Sequence, residues 1–249
     1  MAKYILFDTE STGMEDEDRA IQVGAMVIDH HSGDTEVIDE MLFTDREISV
    51  GAIEIHHITP EILSQNAKTD YANSSFKKRI DELNNEQNYL IAHNIPFDLK
   101  MIEKEGFKCF MKTICTLRCA RHLYQEEPHH RLQWLRYSLG LYKEEEEECR
   151  KHNVIIKAHD AIGDVLVMKL FLRDLLKRVK GVYPNDKPME KLAELTQQPV
   201  LMKKLTFGKH KGKDFSEVAK TDRQYLTWLK NNTDENNKDL LFTLETYLA

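Results

Sequence analysis

Three short apolar segments rich in strand-forming residues lie near the start of the chain, at 3–9, 20–28 and 36–43. The turn-like stretch HHSGD at 30–34 separates the second segment from the third. Strand formers joined by short connections are typical of an antiparallel sheet. We therefore expect the chain to begin with an antiparallel meander of three strands.

Helical segments follow, with one more short strand among them. We predict a strand at 89–92 and helices at 74–84, 98–104 and 131–139. The clearest helix covers 160–178, where apolar residues recur at steps of three and four and form one stripe. The stripe consists of Ala161, Val165, Met168, Leu172 and Leu175. Strands followed by strands mixed with helices favour an α/β domain.

The character of the sequence changes after this helix. The stretch GVYPNDKP at 181–188 has two prolines and a glycine, which favour a linker or a sharp turn. Residues 203–213 (KKLTFGKHKGK) contain five lysines and no acidic residue. We expect a catalytic domain at 1–180, a linker at 181–200 and a small basic domain at 201–249.

Charge and hydropathy exclude some classes of protein. The net charge of −7 disfavours a module that only binds nucleic acid, because such modules are usually basic. An enzyme whose acidic site holds cations is not subject to that argument. No apolar stretch approaches the roughly 20 residues of a membrane-spanning helix, and the N-terminus MAKYILFDTE does not resemble a targeting signal. We expect a cytoplasmic protein with no membrane partner.

The four cysteines are too few and too unevenly spaced to indicate a disulfide scaffold. Cys115, Cys119 and His122 could imitate a zinc site, but the chain has no CxxC pair. Reduced and mostly buried thiols are therefore favoured.

Two carboxylates end the first predicted strand, Asp8 and Glu10 in the sequence FDTESTG. Side chains two residues apart on a strand point to the same face. Two carboxylates held so close repel each other unless a cation lies between them. The pattern indicates a metal site, although a solvated strand end before a turn at Gly13 could have the same residues.

Two later motifs contain further candidates for the same site. In AHNIPFDLKM, Asp98 opens a predicted helix, where it could equally cap that helix or face its dipole. In AHDAIGDVLVMKL, His159 lies in the loop before the long helix and Asp164 lies near the first turn. The side chains of His159 and Asp164 could both lie at one end of the sheet. The alternative is a capping Asp160, a surface histidine and an ordinary charged helix start.

The order Asp-x-Glu, then Asp, then His-x4-Asp resembles the DEDDh family of 3′→5′ exonucleases, over about residues 3–178. The resemblance implies an α/β, ribonuclease H-like fold, with a mixed sheet flanked by helices and, here, a small C-terminal appended domain. It implies hydrolysis of phosphodiester bonds at 3′ ends with release of nucleoside monophosphates, in DNA repair or end processing. Residues 205–229 are similar to the C-terminal segment of bacterial exodeoxyribonucleases, which favours DNA as the partner.

The same resemblance assigns catalytic roles. Four carboxylates are implied as ligands of two Mg²⁺ ions, with Mn²⁺ able to substitute: Asp8, Glu10, Asp98 and Asp164. Asp8 would bridge both ions, while Glu10 and Asp164 would complete the ion that holds the attacking water. Asp98 would support the second ion. His159 would accept the proton of the water, which suits an imidazole because its ordinary pKa is about 6.5.

Six more residues are implied in contacts with the substrate strand: Thr9, Ile55, His56, His93, Asn94 and Phe97. The stretch IEIHHIT at 53–59 is similar to a family loop that ends in His-Gly-Ile-Thr and packs on the terminal nucleotide. Here His57 stands where the family usually has glycine. Phe97 could wedge or stack on bases near the 3′ end, or pack in the core.

Several alternatives stay open on the sequence. The same motifs could serve an enzyme that trims RNA 3′ ends, or a non-catalytic protein that binds nucleic acid on the same fold. A proofreading subunit that binds a polymerase through its C-terminal tail is a third alternative. A DNA substrate could be single-stranded or a frayed duplex.

The lysine-rich segment has two interpretations of its own. Its lysines (Lys203, Lys204, Lys209, Lys211 and Lys213) could contact phosphates of the substrate or bind a protein partner. They could also form a solvated basic hairpin on a small helical domain. In that case we expect the apolar residues that follow to be core, namely Tyr225, Leu226, Trp228 and Leu229.

Overall fold

The computed structural model describes residues 2–157 and 159–249. A five-stranded sheet lies at its centre, with strand order β3-β2-β1-β4-β5. The strands are β1 Lys3–Ser11, β2 Ala20–Asp29, β3 Thr35–Met41, β4 Tyr89–Ala92 and β5 Lys112–Cys115.

Twelve α-helices are present in the described part of the chain. They are α1 Val50–His56, α2 Pro60–Asn66, α3 Ser75–Leu83, α4 Ile95–Lys104, α5 Thr116–Leu123, α6 Leu132–Ser138, α7 Glu145–His152, α8 Ala161–Val182, α9 Pro188–Gln197, α10 Phe215–Thr221, α11 Arg223–Asn231 and α12 Lys238–Leu248. None of these described helices has both the length and the apolar character that a membrane span requires.

The sheet is mixed, as expected. Strands β1, β2 and β3 form the antiparallel meander, and β4 and β5 continue the sheet from β1 in parallel. Parallel strands end at the same edge of a sheet, and loops at that edge commonly form ligand sites. Here β1, β4 and β5 end at Ser11, Ala92 and Cys115. We call this the carboxyl edge.

Apolar layers cover both faces of the sheet, because side chains of β1 alternate in direction. Leu6 points into the layer that contains Phe171 of α8. Ile5 and Phe7 point into the opposite layer, where the ring of Phe7 stacks on Phe76 of α3 with 5.9 Å between ring centroids. Burial of each large apolar side chain contributes roughly 1.5–3 kcal/mol, so the two layers fix the helices against the sheet.

The long helix α8 approaches the sheet closely at one point. Gly24 of β2 pairs with Asp8 of β1 and faces the first turn of α8. A Cβ atom built on Gly24 would lie 2.4 Å from the backbone nitrogen of Ile162. A side chain at this position would therefore hold the start of α8 away from β1, where the candidate carboxylates lie.

The predicted linker at 181–200 needs correction, because α9 occupies 188–197 within it. Pro188 is the first residue of α9, a position where its missing N–H removes no intrahelical hydrogen bond. Leu192 and Leu195 of α9 are buried in the same apolar layer as α8. The proline that suggested a linker marks the start of a packed helix.

The last part of the chain has an apolar cluster of its own, formed around α10, α11 and α12. We call residues 201–249 the C-terminal unit. Its buried side chains are Leu205, Phe215, Val218, Leu226, Leu229, Leu240 and Leu244. Arg118 of α5 joins the unit to the rest of the molecule through an ion pair of 3.0 Å with Asp239 of α12. Asp239 also accepts a hydrogen bond of 2.9 Å from the Val200 N–H.

We expect Gly24→Ala to destabilise the protein, because the added methyl group would collide with the backbone of α8. Overpacking of this kind costs about 1–3 kcal/mol, measurable as the free energy of unfolding in urea. Gly181→Ala in α8 is the matched control, since its methyl group would meet no atom within 4 Å. The control should be neutral or slightly stabilising. Equal stability of the two variants would contradict the close approach.

Candidate active site

Asp8 and Glu10 occupy the end of β1, on the face of the sheet that α8 covers. Burial raises the pKa of Asp8 well above its usual range, and the charges of Asp98, Glu10 and other neighbouring carboxylates add to the shift. Burial likewise raises the pKa of Glu10 to about 8, with a contribution from the charge of Asp164. The two carboxyls are thus held where their negative charge is opposed by its surroundings.

Asp98 reaches the same edge from α4, on the other face of the sheet. It lies in the first turn of α4 and is only 2% exposed. Its Oδ1 accepts hydrogen bonds from the backbone N–H of Thr9 at 3.0 Å and from the Thr9 hydroxyl at 2.9 Å. Burial raises the pKa of Asp98 to about 7, although both Thr9 hydrogen bonds act in the opposite direction. Thr9, which lies between Asp8 and Glu10, therefore fixes Asp98 beside them.

Asp164 comes to the site in the first turn of α8. Its Oδ1 accepts a hydrogen bond of 2.6 Å from Nε2 of Gln133 in α6. The Oε1 of Gln133 accepts in turn from Arg136, which forms an ion pair with Glu145. Burial raises the pKa of Asp164 to about 6, whereas the charge of His159 and the hydrogen bond from Gln133 lower it.

His159 is exposed in the loop that precedes α8, beside Asp164. Its backbone has a φ of 57°, the left-handed region that non-glycine residues rarely adopt. The loop is packed closely on the helix, because a Cβ atom on Gly163 would lie 2.7 Å from the carbonyl oxygen of Lys157. The imidazole is therefore presented to solvent at the edge of the carboxylate group.

The four carboxylates form a set of hard oxygen donors with strong mutual repulsion. Such donors suit Mg²⁺ or Mn²⁺, and a divalent cation would relieve the repulsion. Within residues 2–157 and 159–249, no three acidic, histidine or cysteine side chains already converge as the ligands of a single ion. The chemistry of the donor set fits a divalent metal. Its positive charge would offset the cost of ionising these buried carboxyls, which the raised pKa values reflect.

The two ring nitrogens of His56 are both used inside the protein. His56 is 7% exposed, its Nδ1 accepts from the Ile58 N–H at 3.0 Å and its Nε2 lies 3.1 Å from the carbonyl oxygen of Ser11. This pattern assigns the proton to Nε2, and burial lowers the pKa of the ring. Instead of facing the substrate through a ring nitrogen, His56 fastens its loop to the end of β1. The neighbouring Ile55 is 53% exposed and remains available for contact.

His57, where the family usually has glycine, has a φ of 61° and ends α1 in the left-handed conformation. Glycine adopts this conformation without the steric cost that a Cβ atom adds. The backbone of this loop thus explains the family's preference, and histidine adopts the same conformation here.

His93 is likewise engaged within the protein. Its Nδ1 lies 2.9 Å from the Thr116 hydroxyl and its Nε2 lies 2.9 Å from the carbonyl oxygen of His130. Burial lowers its pKa to about 4. These contacts connect β4 with α5 and oppose direct substrate binding by His93. Asn94, which is exposed with a φ of 81°, and Phe97, which is half-buried, flank the start of α4 beside the site.

Two glutamines that support the site were not identified from the sequence. Gln22 is 2% exposed in β2, donates to Asp160 at 3.0 Å and accepts from the Ala161 N–H at 3.4 Å, which fixes the start of α8. A single amide in the apolar strand AIQVGAMVI was the available signal for Gln22. Gln133 had no comparable signal, because its partner Asp164 is 31 residues away in the chain.

Comparison with known proteins gives a consistent result. Residues 5–171 match the family model described as Exonuclease, and residues 205–234 match the one described as Exodeoxyribonuclease X-like C-terminal. The chain is 30% identical over 210 residues to Exodeoxyribonuclease 10 of Escherichia coli K12, with 82% of this chain and 81% of that protein covered. It is 32% identical over 107 residues to DNA polymerase III subunit epsilon of Treponema pallidum, with 43% and 47% covered.

Two solved structures share the fold. One is exonuclease X in complex with 5′-overhanging duplex DNA, with a TM-score of 0.51, 20% identity, and 79% of this chain and 99% of that chain covered. The other is a zinc-bound complex of Escherichia coli ExoI with single-stranded DNA, with a TM-score of 0.52, 20% identity, and 77% and 42% covered. The fold expected from the sequence is confirmed.

The raised pKa of Glu10 predicts that the metal-free protein loses stability as the pH rises. The folded state keeps the proton up to a pH of about 8, whereas the unfolded state loses it near 4.5. The free energy of unfolding in EDTA should therefore fall as the pH rises across this range. Each kcal/mol lost should lower Tm by about 2–4 °C. Glu10→Gln should make the profile less steep, with the remaining slope due to Asp8, Asp98 and Asp164. The exposed Glu54→Gln should leave the slope unchanged. A Glu10→Gln profile parallel to that of the wild type would contradict the prediction.

Proposed function

Since this chain belongs to the exonuclease family, we propose that it removes nucleotides from DNA in the 3′→5′ direction and releases nucleoside monophosphates. One observation carries the proposal. Carboxylates from β1, α4 and α8 lie at the carboxyl edge, where the charges of Asp98 and Asp164 add to the effect of burial and raise the pKa values of Asp8 and Glu10. Such repulsion destabilises a fold, whereas the same carboxylates can hold the cations that assist hydrolysis of a phosphodiester.

Members of the family depend on divalent metal ions. We propose that two Mg²⁺ ions bind here, that Mn²⁺ can substitute, and that the ligands are Asp8, Glu10, Asp98 and Asp164. When bound, the ions would supply positive charge for the attacking and leaving oxygens. The protein contributes the orientation of the carboxylates: Thr9 holds Asp98, and Gln133 holds Asp164.

The proton of the attacking water would pass to His159. Its side chain is exposed beside Asp164, so both solvent and substrate can reach it. General-base catalysis by a positioned histidine contributes typically 10²–10⁴-fold, roughly 3–5 kcal/mol of barrier. The exposed Ile55 would pack on the terminal nucleotide, and Asn94 and Phe97 would contact the adjoining part of the strand.

The relatives favour DNA over RNA. Exodeoxyribonuclease 10 is named for a DNA substrate, and both solved structures with the same fold contain DNA, single-stranded in one and a 5′-overhanging duplex in the other. We propose single-stranded DNA or the frayed 3′ end of a duplex as the substrate, in cytoplasmic DNA repair or end processing.

We expect Asp8→Asn to abolish cleavage without lowering Tm, because a neutral amide replaces a carboxyl whose ionised form is opposed by burial and by neighbouring carboxylates. With Mg²⁺, the wild-type protein should shorten 5′-labelled single-stranded DNA into a ladder that starts at the 3′ end, and EDTA should stop the reaction. The exposed Asp45→Asn is the matched control and should remain active. An active Asp8→Asn protein would place the site elsewhere, and faster cleavage of matched RNA would reverse the choice of substrate.

We expect His159→Gln to lower kcat by about 10²–10⁴-fold, because glutamine cannot accept the proton of the attacking water. Both rates are measured at saturating Mg²⁺. The exposed His31→Gln, in the turn between β2 and β3, is the control. A His159→Gln protein with the wild-type rate would contradict the assignment.

A further inference from the structure

The lysine-rich segment of the C-terminal unit folds into a closed loop. The Leu205 N–H donates to the carbonyl oxygen of Lys213 at 2.9 Å, and the Gly212 N–H donates to the carbonyl oxygen of Leu205 at 2.7 Å. Gly208 and Gly212 have φ values of 73° and 87°, respectively, in the left-handed region that favours glycine. The loop is therefore a defined turn that displays its lysines.

The start of α11 holds this loop in place. Asp222 accepts hydrogen bonds from Lys209 at 2.8 Å and from Nε2 of His210 at 2.9 Å. The ring of His210 meets Tyr225 edge-on, with 4.9 Å between centroids. Because these contacts exist before any ligand binds, little conformational entropy would be lost when one does.

Two large aromatic side chains beside the loop are exposed. Trp228, whose ring lies 5.9 Å from that of Tyr225, is 57% exposed, and Phe207 within the loop is 41% exposed. The expectation of core packing holds for Leu226 and Leu229 but is wrong for Trp228. Exposed apolar surface rimmed by polar groups commonly marks an interaction site.

The charge around these rings favours an anionic partner. Lys203, Lys204 and Lys211 are exposed and, within the part of the chain that the structure describes, form no ion pair. Lysines that alternate with exposed aromatic rings suit single-stranded nucleic acid, whose phosphates pair with the cations and whose bases stack on the rings. A duplex would offer no open base faces to Trp228 and Phe207.

The C-terminal unit lies beyond β5 at the carboxyl edge. Arg118, in the first turn of α5 directly after β5, donates to the carbonyl oxygen of Gln198 and pairs with Asp239 of the unit. The acidic site lies at the same edge, at the end of β1. The unit therefore contacts the catalytic part at the edge of the sheet that carries the acidic site.

We propose that the C-terminal unit binds the single strand that leads to the 3′ end being cut. Bases stack on Trp228 and Phe207, and phosphates pair with Lys203, Lys204 and Lys211. The orientation of the strand rests on the proposed function, whereas binding to this surface does not require cleavage.

Affinity as a function of strand length tests the proposal. Full-length Asp8→Asn protein with Mg²⁺ is titrated with labelled oligothymidylates of 3 to 30 nucleotides, followed by fluorescence anisotropy. We expect a step in affinity once a strand reaches the unit. In this background Trp228→Ala should remove the step and weaken binding of the longest strand about fivefold to a hundredfold, as for loss of a stacked base. Binding of the shortest strand should not change.

Phe110→Ala is the matched control. Phe110 is 54% exposed and lies 5.4 Å from the Lys108 ammonium, but it precedes β5 at the opposite edge of the sheet. Its substitution should leave both the step and the affinity unchanged. Replacement of Lys203 and Lys211 by glutamine should reduce the slope of log K against log salt by about 0.7 for each lost phosphate contact.

Fluorescence gives a direct readout. The chain has two tryptophans, so Trp134→Phe leaves Trp228 as the sole one, and long strands should quench it. Equal affinities of Trp228→Ala and Phe110→Ala, or an unquenched Trp228, would overturn the proposal. If the wild-type protein binds long strands through Trp228 but does not cleave them, only the proposed function fails. If the protein cleaves long strands but Trp228→Ala does not change affinity for them, only the assignment of this binding surface is wrong.

Discussion

Repulsion between carboxylates is the constraint on which the rest of the catalytic part depends. Asp8 and Glu10 are brought beside Asp98 and Asp164, and burial strengthens the electrostatic cost of their charges. Neutral contacts hold the group together: the Thr9 hydroxyl and N–H on Asp98, the Gln133 amide on Asp164, and the bare Cα of Gly24 against α8. Hydroxyls and amides orient a carboxylate without neutralising it, which leaves its charge for a bound cation.

The basic C-terminal unit complements this acidic site. An acidic edge repels a polyanionic substrate, so the cationic surface that we propose as a strand-binding site would offset this repulsion. Arg118 connects the two parts, because it follows β5 directly and pairs with Asp239 of the unit. The net charge of −7 conceals this separation of charge, so net charge alone gave no indication of a nucleic-acid partner.

Three histidines near the site differ in burial and in the contacts of their ring nitrogens. His56 and His93 have both ring nitrogens engaged within the protein, and burial lowers the pKa of each. His56 fastens the loop after α1 to the end of β1, and His93 fastens the loop after β4 to α5. His159 is exposed beside Asp164. Burial, which no local pattern specifies, separates the structural histidines from the proposed base.

The sequence by itself determined the meander, the helix α8 and the positions of the acidic motifs, because strand alternation and helical periodicity are local properties of the chain. Only the tertiary structure decided which side chains support the site. Gln133 and Asp164 are 31 residues apart, and Gln22 and Asp160 are 138 apart, so no local pattern links them. Packing likewise made α9 part of the core and left Trp228 exposed. Both outcomes depend on which neighbouring surfaces cover a residue, and the folded chain alone supplies those surfaces.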